Sequence, residues 1–250
     1  MKKFSQRELN EQRHFDRIAY GYDDNYSYDK PFTKYKIDKK SREFVRLVKN
    51  NLRKKNLKIL EIGCGTGEYT RQIATRLPKT EIIGLDISQK IINIARKKCK
   101  PFANISFVVQ SAYDTSFKKN AFDIVCGFYV LHHLNIPKAI KEFVRVLKPG
   151  GILFFYEPNI LNPIVFLIKS SKTLKKRVGD SPDEWAINPL TIHKQLSTFE
   201  VIKIAQTEFI LPLYFVPFSL LKIADEITSY FRFIPLLKFF GGSVTILVKN

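Results

Sequence analysis

The ten residues Glu61-Ile62-Gly63-Cys64-Gly65-Thr66-Gly67-Glu68-Tyr69-Thr70 restrict what this chain can fold into more than any other stretch. They follow a short apolar run, Leu57-Lys58-Ile59-Leu60, that reads as a buried strand. They precede Arg71-Gln72-Ile73-Ala74-Thr75-Arg76-Leu77, which has helical periodicity. The glycines therefore sit on a strand-to-helix turn, where they let the backbone swing tightly and let a ligand approach without Cβ atoms in the way. An acid at the strand end, followed by glycines at alternate positions, suits a nucleoside cofactor whose charged tail lies on the bare loop.

Downstream segments keep the same rhythm. Ile82-Ile83-Gly84-Leu85-Asp86-Ile87-Ser88 is a second strand ending in an acid, and a carboxylate there offers the two acceptor oxygens that both hydroxyls of a ribose need. Phe107-Val108-Val109-Gln110-Ser111-Ala112-Tyr113-Asp114 comes next. Phe122-Asp123-Ile124-Val125-Cys126-Gly127-Phe128-Tyr129-Val130-Leu131-His132-His133-Leu134 reads as a fourth strand and its exit. Leu147-Lys148-Pro149-Gly150-Gly151 then turns into the strand Ile152-Leu153-Phe154-Phe155-Tyr156. Strands and helices alternate through residue 158, as in a parallel sheet with helices on both faces. Right-handed crossovers place the strand carboxyl ends, and the ligand crevice, on one edge.

These motifs, in this order over roughly residues 15–158, resemble the class I S-adenosylmethionine-dependent methyltransferases, and within them the ubiquinone/menaquinone-biosynthesis-like (methyltransferase type 11) branch. The spacing G-x-G-x-G opened by Glu61 fits that family's cofactor loop rather than the G-x-G-x-x-G of dinucleotide folds. The resemblance implies an α/β, Rossmann-like, doubly wound sheet of seven strands, with strand seven antiparallel between strands five and six. Phe199–Gln206 and Ser243–Lys249 are the segments for strands six and seven. It also implies S-adenosyl-L-methionine as cofactor, held by Tyr22, Glu61, Gly63, Cys64, Gly65, Gly67, Asp86, Ile87, Ser111, Ala112, Tyr113 and Phe128. The family often has an acid where this chain has Ser111; Tyr113 or Asp114 are then left to contact the adenine amino group.

Length and charge set the remaining bounds. A chain of 250 residues accommodates one α/β domain with additions and buries roughly three quarters of its unfolded surface, so no staple is needed. Cys64, Cys99 and Cys126 have no metal-ligand spacing and read as buried fillers in a reducing compartment, with no metal site expected. Residues 1–7 lack the apolar run of a secretory signal, and no uncharged apolar run reaches the roughly 18 residues of a membrane span. The expectation is a cytoplasmic protein, free or peripheral at a membrane surface. The formal charge of +19 favours anionic partners.

The chain divides into residues 1–55, an N-terminal lid and helices; 56–158, the cofactor-binding core; 159–198, an insertion or substrate cap; and 199–250, strands six and seven with an apolar insertion at 209–240. In the first part, His14-Phe15-Asp16-Arg17-Ile18-Ala19-Tyr20-Gly21-Tyr22-Asp23 resembles the signature of methyltransferases that close a lid over the cofactor. Residues 32–55 read as an amphipathic helix carrying Phe44, Val45, Leu47 and Val48, with lysines and arginines as a solvated face. Residues 159–177 run from an apolar half into a basic half containing Lys169, Lys172, Lys175, Lys176 and Arg177. Residues 209–240 are rich in Phe and Leu and broken by Pro212 and Pro217. Three roles stand for these insertions: a lid over the substrate, an interfacial membrane contact with basic residues at the headgroups, or a dimer interface.

Methyl transfer from a sulfonium requires an aligned nucleophile, exclusion of water and, for a protic acceptor, a base. His132, His133, Tyr156, Glu157 and His193 are the candidates. Neighbouring residues on a helix point about 100° apart, so one of the histidine pair faces the substrate. Similar proteins commonly keep the second histidine, which implies a structural role for His133 and leaves His132 as the acid–base residue. The acceptor expected is a small molecule, hydrophobic or lipid-linked. Nucleic acid is the lesser partner, because no N-P-P-Y-type tetrad follows strand four and no RNA-binding module is appended. A non-catalytic cofactor-binding or membrane-adaptor protein is the reading from another class.

Overall fold

The chain is described by a computed structural model covering residues 4–26, 28–54, 56–181, 184–209 and 216–250. Its strands are β1 (Lys58–Ile62), β2 (Glu81–Asp86), β3 (Ile105–Val109), β4 (Phe122–Phe128), β5 (Leu147–Pro158), β6 (Glu200–Thr207) and β7 (Ser243–Lys249). They form one sheet in the order β3-β2-β1-β4-β5-β7-β6. The pairings from β3 to β5 are parallel, and β7 runs antiparallel to both β5 and β6. This is the Rossmann-like arrangement anticipated from the motifs. Every residue of β4 is buried, which is why, apart from Asp123 with its lysine partners at the start, its sequence is a continuous apolar run rather than an alternating one.

The helices are α1 (Gln6–Ile18), α2 (Tyr22–Asn25), α3 (Pro31–Asn51), α4 (Glu68–Arg76), α5 (Gln89–Lys98), α6 (Ile136–Val146), α7 (Pro163–Ser170), α8 (Lys172–Val178), α9 (Ile192–Gln195) and α10 (Phe218–Thr228). Local chemistry sets their starts. Ser5 and Glu8 form a reciprocal capping box on α1, and Ser88, Asn135 and Asn162 accept from backbone amides at the starts of α5, α6 and α7. On α3, Phe32, Ile37, Phe44, Val45 and Val48 are buried, much as the apolar stripe suggested. Its basic flank is not uniformly solvated, however. Lys36 and Lys40 are buried and ion-paired, because Glu208, just beyond β6, and Asp225 of α10 meet α3.

Phe143, Phe155, Leu153 and Ile246 belong to the core on one face of the sheet, and Phe44, Ile73, Phe154 and Leu247 to the core on the other. The strand order reverses between β1 and β4, so the carboxyl ends of β2, β1, β4 and β5 surround a crevice. All cysteines are buried and free. In the apolar insertion, residues 210–215, including Pro212, lie outside the described residues. The rest forms α10 and short 3-10 turns at Ser229–Phe233 and Leu237–Phe240. Among the described residues, no helix is long and apolar enough to cross a membrane.

Candidate active site

A cavity of about 390 Å³ lies at the strand carboxyl ends, within the range of small-molecule sites. On the β2 side its walls include Gly63, Asp86, Ile87, Ala112, Tyr113 and Phe128. Tyr22 and Phe15 reach it from the N-terminal lead. Glu61, Cys64, Gly65, Gly67 and Ser111 do not line it. The bare turn expected from the glycines is covered: Tyr22 Oη lies 3.3 Å from where a Cβ on Gly65 would be, and Gly63 and Gly67 face Val130 and Cys99. The glycines are still required, because positions 63, 65 and 67 have φ of +61°, +53° and +83°. The lead folds over the turn as the lid signature suggested; what the spacing could not reveal is that Tyr22 packs against Tyr26 and Tyr28 as it does so.

Asp86 faces the cavity and is held by amides: Gly65 N–H donates to it at 3.1 Å and Ser88 N–H at 3.0 Å. Glu61 is buried beneath the turn and accepts from Thr70 Oγ1 at 2.6 Å. Burial, reinforced by Asp86, pushes its carboxyl up to about 8. Burial likewise raises Asp86 against the pull of its amide partners. Among the described residues, the hydrogen-bond partners of both acids are a hydroxyl and backbone amides, not cations. A cationic, hydroxyl-bearing nucleoside fits that environment. Ser111, which stands where an acid was expected, donates to Glu8, and Glu8 lines the cavity from α1. A carboxylate from another helix thus stands beside Ser111. The capping-box pattern Ser5-x-x-Glu8 was the only sequence signal for it, and it signals a helix start.

A second wall carries the histidines. Both line the cavity, because Leu131–His133 is a 3-10 turn with the two rings 4.2 Å apart, which corrects the expectation that only one would face inward. His132 Nδ1 lies 2.6 Å from Glu157 and Nε2 lies 3.2 Å from Glu184. Burial pulls the His132 imidazole down, but the two carboxylates outweigh it and push it up to about 9. Protonated at neutral pH and bonded at both nitrogens, His132 lacks the lone pair a base needs. The assignment of His132 alone as acid–base residue gives way to a carboxylate-flanked pair. His133 Nδ1 lies 3.3 Å from Glu11, and Nε2 lies 3.7 Å from Glu184. Lys169, assigned from sequence to a surface basic cluster, is buried and pairs with Asp180 at 2.7 Å and with Glu184. His193 does not line the cavity, and Tyr156 is fully buried behind it.

The third wall is on the β7 side. Glu208 accepts from Tyr129 Oη at 2.8 Å and Ser243 Oγ at 2.6 Å, and pairs with Lys40 at 2.9 Å and Lys36 at 3.7 Å. Burial would raise the Glu208 carboxyl, but the lysines and hydroxyl donors hold it down to about 2. Lys40 also lies over the rings of Tyr129 and Tyr156. Tyr129 and Glu208 both have left-handed backbones, at φ of +59° and +60°. Such conformations cost roughly 1–3 kcal/mol each and persist only where surroundings impose them. Their mutual hydrogen bond is that imposition. No motif pointed to this wall, since its members lie at positions 36, 40, 129, 208 and 243.

With this geometry in hand, comparison with known proteins gives a consistent answer. Residues 59–151 match the family described as "Methyltransferase domain". A demethylmenaquinone methyltransferase of Staphylococcus carnosus is 39% identical over 111 residues, 43% of this chain and 45% of the relative. An uncharacterized protein of Methanocaldococcus jannaschii is 31% identical over 180 residues, 66% of this chain and 62% of the relative. The chain thus spans about half, and at most 62%, of the length of these curated relatives. A Thermotoga maritima structure, a SAM-dependent methyltransferase and possible histamine N-methyltransferase, superposes with a TM-score of 0.63 at 20% identity over 95% of this chain and 98% of its own. The N-methyltransferase NodS of Bradyrhizobium japonicum, solved with S-adenosyl-L-homocysteine, gives 0.58 at 17% identity over 89% of each chain.

Proposed function

We propose that this chain, whose core is a class I S-adenosylmethionine-dependent methyltransferase domain, transfers the methyl group to a small, hydrophobic or lipid-linked acceptor. The observation that carries the reading is Asp86: it ends β2, one strand from the topological switch point between β1 and β4, faces the cavity, and retains acceptor capacity for a sugar's hydroxyls. When bound, S-adenosylmethionine supplies an electrophile already activated by its positive charge. The chain's task is therefore placement.

Asp86 would hold the ribose, and Glu8, through its link to Ser111, the adenine amino group. The apolar Ile87, Ala112 and Phe128 would flank the base and sulfur. Tyr69 lies parallel to Phe128 with centroids 4.0 Å apart, which stiffens that surface. The lead from α1 to Tyr28 excludes water above the turn, and Tyr22 must shift for a ligand to meet Gly65. Orientation of this kind can supply up to about 7–11 kcal/mol. The histidine wall, with Glu157, Glu184 and Glu11, holds the polar atom of the acceptor.

The hydrophobic acceptor is supported by the surface beside the cavity. Val165 of α7 lines the cavity, while Phe166 and Leu167 on the same helix are more than half exposed, at 53% and 60%. Asn162 at the start of α7 donates to the backbone of Phe240, tying α7 to the segment that exposes Phe233 and Leu236 at 70% and 77%. Lys172, Lys176 and Arg177 on α8 follow directly. An apolar apron rimmed by cations suits an anionic membrane surface, where each cation contributes about 1 kcal/mol. Relatives named for demethylmenaquinone are in keeping with such an acceptor.

Two measurements test the reading. Calorimetry should give S-adenosylmethionine binding that Asp86→Ala weakens by about 10- to 100-fold, the loss of hydrogen bonds to a charged acceptor; an unchanged affinity would refute the role of Asp86. Incubation with methyl-labelled cofactor and a lipid extract should label a lipid. Label confined to water-soluble molecules would remove the lipid-linked acceptor while keeping the enzyme.

A further inference from the structure

The histidine wall has a feature that methyl transfer alone does not call for. Each imidazole has a carboxylate at Nδ1: Glu157 at 2.6 Å from His132 and Glu11 at 3.3 Å from His133. Each therefore aims Nε2 at one shared carboxylate, Glu184, at 3.2 Å and 3.7 Å. Ligand atoms of His132, His133 and Glu184 all lie within 4.8 Å of one another. A carboxylate behind Nδ1 is the arrangement that fixes tautomer and ring direction in metal-bound histidine. Here it occurs twice, on two rings that converge.

A second observation concerns the looser of these two contacts. His133 Nδ1 and Glu11 Oε2 are both buried, face each other at 3.3 Å, and have no well-aligned hydrogen bond besides that ion pair. Buried polar atoms left this way mark a water, an ion or a catalytic role. The charge balance points the same way. Glu8, Glu11, Glu157, Asp180 and Glu184 crowd this wall, against the cations Lys169, Arg7 and protonated His132.

We propose that His132, His133 and Glu184 form a site for a divalent transition-metal cation, open to the cavity. Two imidazoles and a carboxylate are the ligand set of catalytic zinc sites and of mononuclear sites that keep open positions, and an ion bound here takes the place of the proton that His132 Nε2 shares with Glu184. The open positions face the cavity, where an oxygen of the acceptor can sit. Lys169 is an internal competitor: it occupies Glu184 Oε1 in this structure and keeps Asp180 as an alternative partner. The site goes beyond the methyl-transfer reading, and its occupancy is measurable without it.

The test uses the full chain, stripped with chelator and titrated calorimetrically with Zn²⁺ and then Mn²⁺, with Co²⁺ absorption reporting coordination. The expected result is one ion per chain at micromolar affinity or better. Glu184→Gln and His133→Ala should each weaken it at least 30-fold, and Glu11→Gln by about 10- to 100-fold through the orienting contact. Lys169→Met should tighten it. Thermal melts identify any variant that fails to fold, and the remaining variants then decide. Absence of binding in the stripped wild type overturns the site, as does binding that survives both Glu184→Gln and His133→Ala. Either failure leaves cofactor binding, tested through Asp86, untouched.

Discussion

The β7 wall and the histidine wall of the same cavity are both built from buried charges, yet they are finished differently. Around Glu208, four donors from Lys36, Lys40, Tyr129 and Ser243 meet one carboxylate, and two strained backbones are held in place. Around Glu184, two imidazoles, a lysine and a backbone amide converge, while Glu11 Oε2 and His133 Nδ1 meet only in a loose 3.3 Å contact with no well-aligned hydrogen bond. A closed network serves the fold, because its members have nothing left to offer. An incomplete one retains capacity for a ligand. The difference teaches that burial and charge alone do not distinguish structural from functional groups; satisfaction does.

The comparison can be broken in several ways. The largest effect is expected for Glu208→Ala, which leaves Lys36 and Lys40 buried without that acid and should destabilise the protein by about 3–5 kcal/mol in urea unfolding. A loss below about 1 kcal/mol would show that the β7 wall is not structural. Next is acid sensitivity. The Glu208 carboxyl is depressed from 4.5 to about 2 on folding, so its contribution is complete above pH 4.5 and lost as pH falls toward 2. That interval carries roughly 3 kcal/mol by linkage. Stability measured across it should fall less steeply in Glu208→Gln than in wild type.

Glu184→Gln should cost less, about 1–2 kcal/mol, since Lys169 keeps Asp180. If it matched Glu208→Ala, the histidine wall too would be structural. The smallest effect is expected at the surface. Phe233→Ser and Leu236→Ser should change stability by no more than about 0.5 kcal/mol yet lower sedimentation with anionic vesicles. Vesicle binding that is unchanged, or insensitive to salt, would remove the membrane from the functional reading.

Much of the fold was legible before any coordinates. Glycines at positions 63, 65 and 67 and an acid at 86 are local signals, because backbone conformation and strand-end chemistry are decided within a few residues, whereas residues 147–151, read as a turn, are the start of β5. Asp86, Ile87, Ala112, Tyr113 and Phe128 accordingly reach the cavity as their motifs suggested. Glu8, Glu184 and Glu208 were invisible, for each works through a partner more than fifty positions away: Ser111, His132 and Lys40. His132 was visible and its chemistry was not, because two distant carboxylates set its protonation.

The order of residues by itself determined the alternating sheet, the glycine turn and the acid beside it, since these follow from short-range periodicity and backbone sterics. Only the tertiary structure decided which side chains share the cavity, that Tyr22 roofs the turn, and that Lys36, Lys40 and Lys169 are buried rather than solvated. The physical reason is that electrostatics and packing depend on separation in space, and crossovers between parallel strands bring together groups that no spacing along the chain relates.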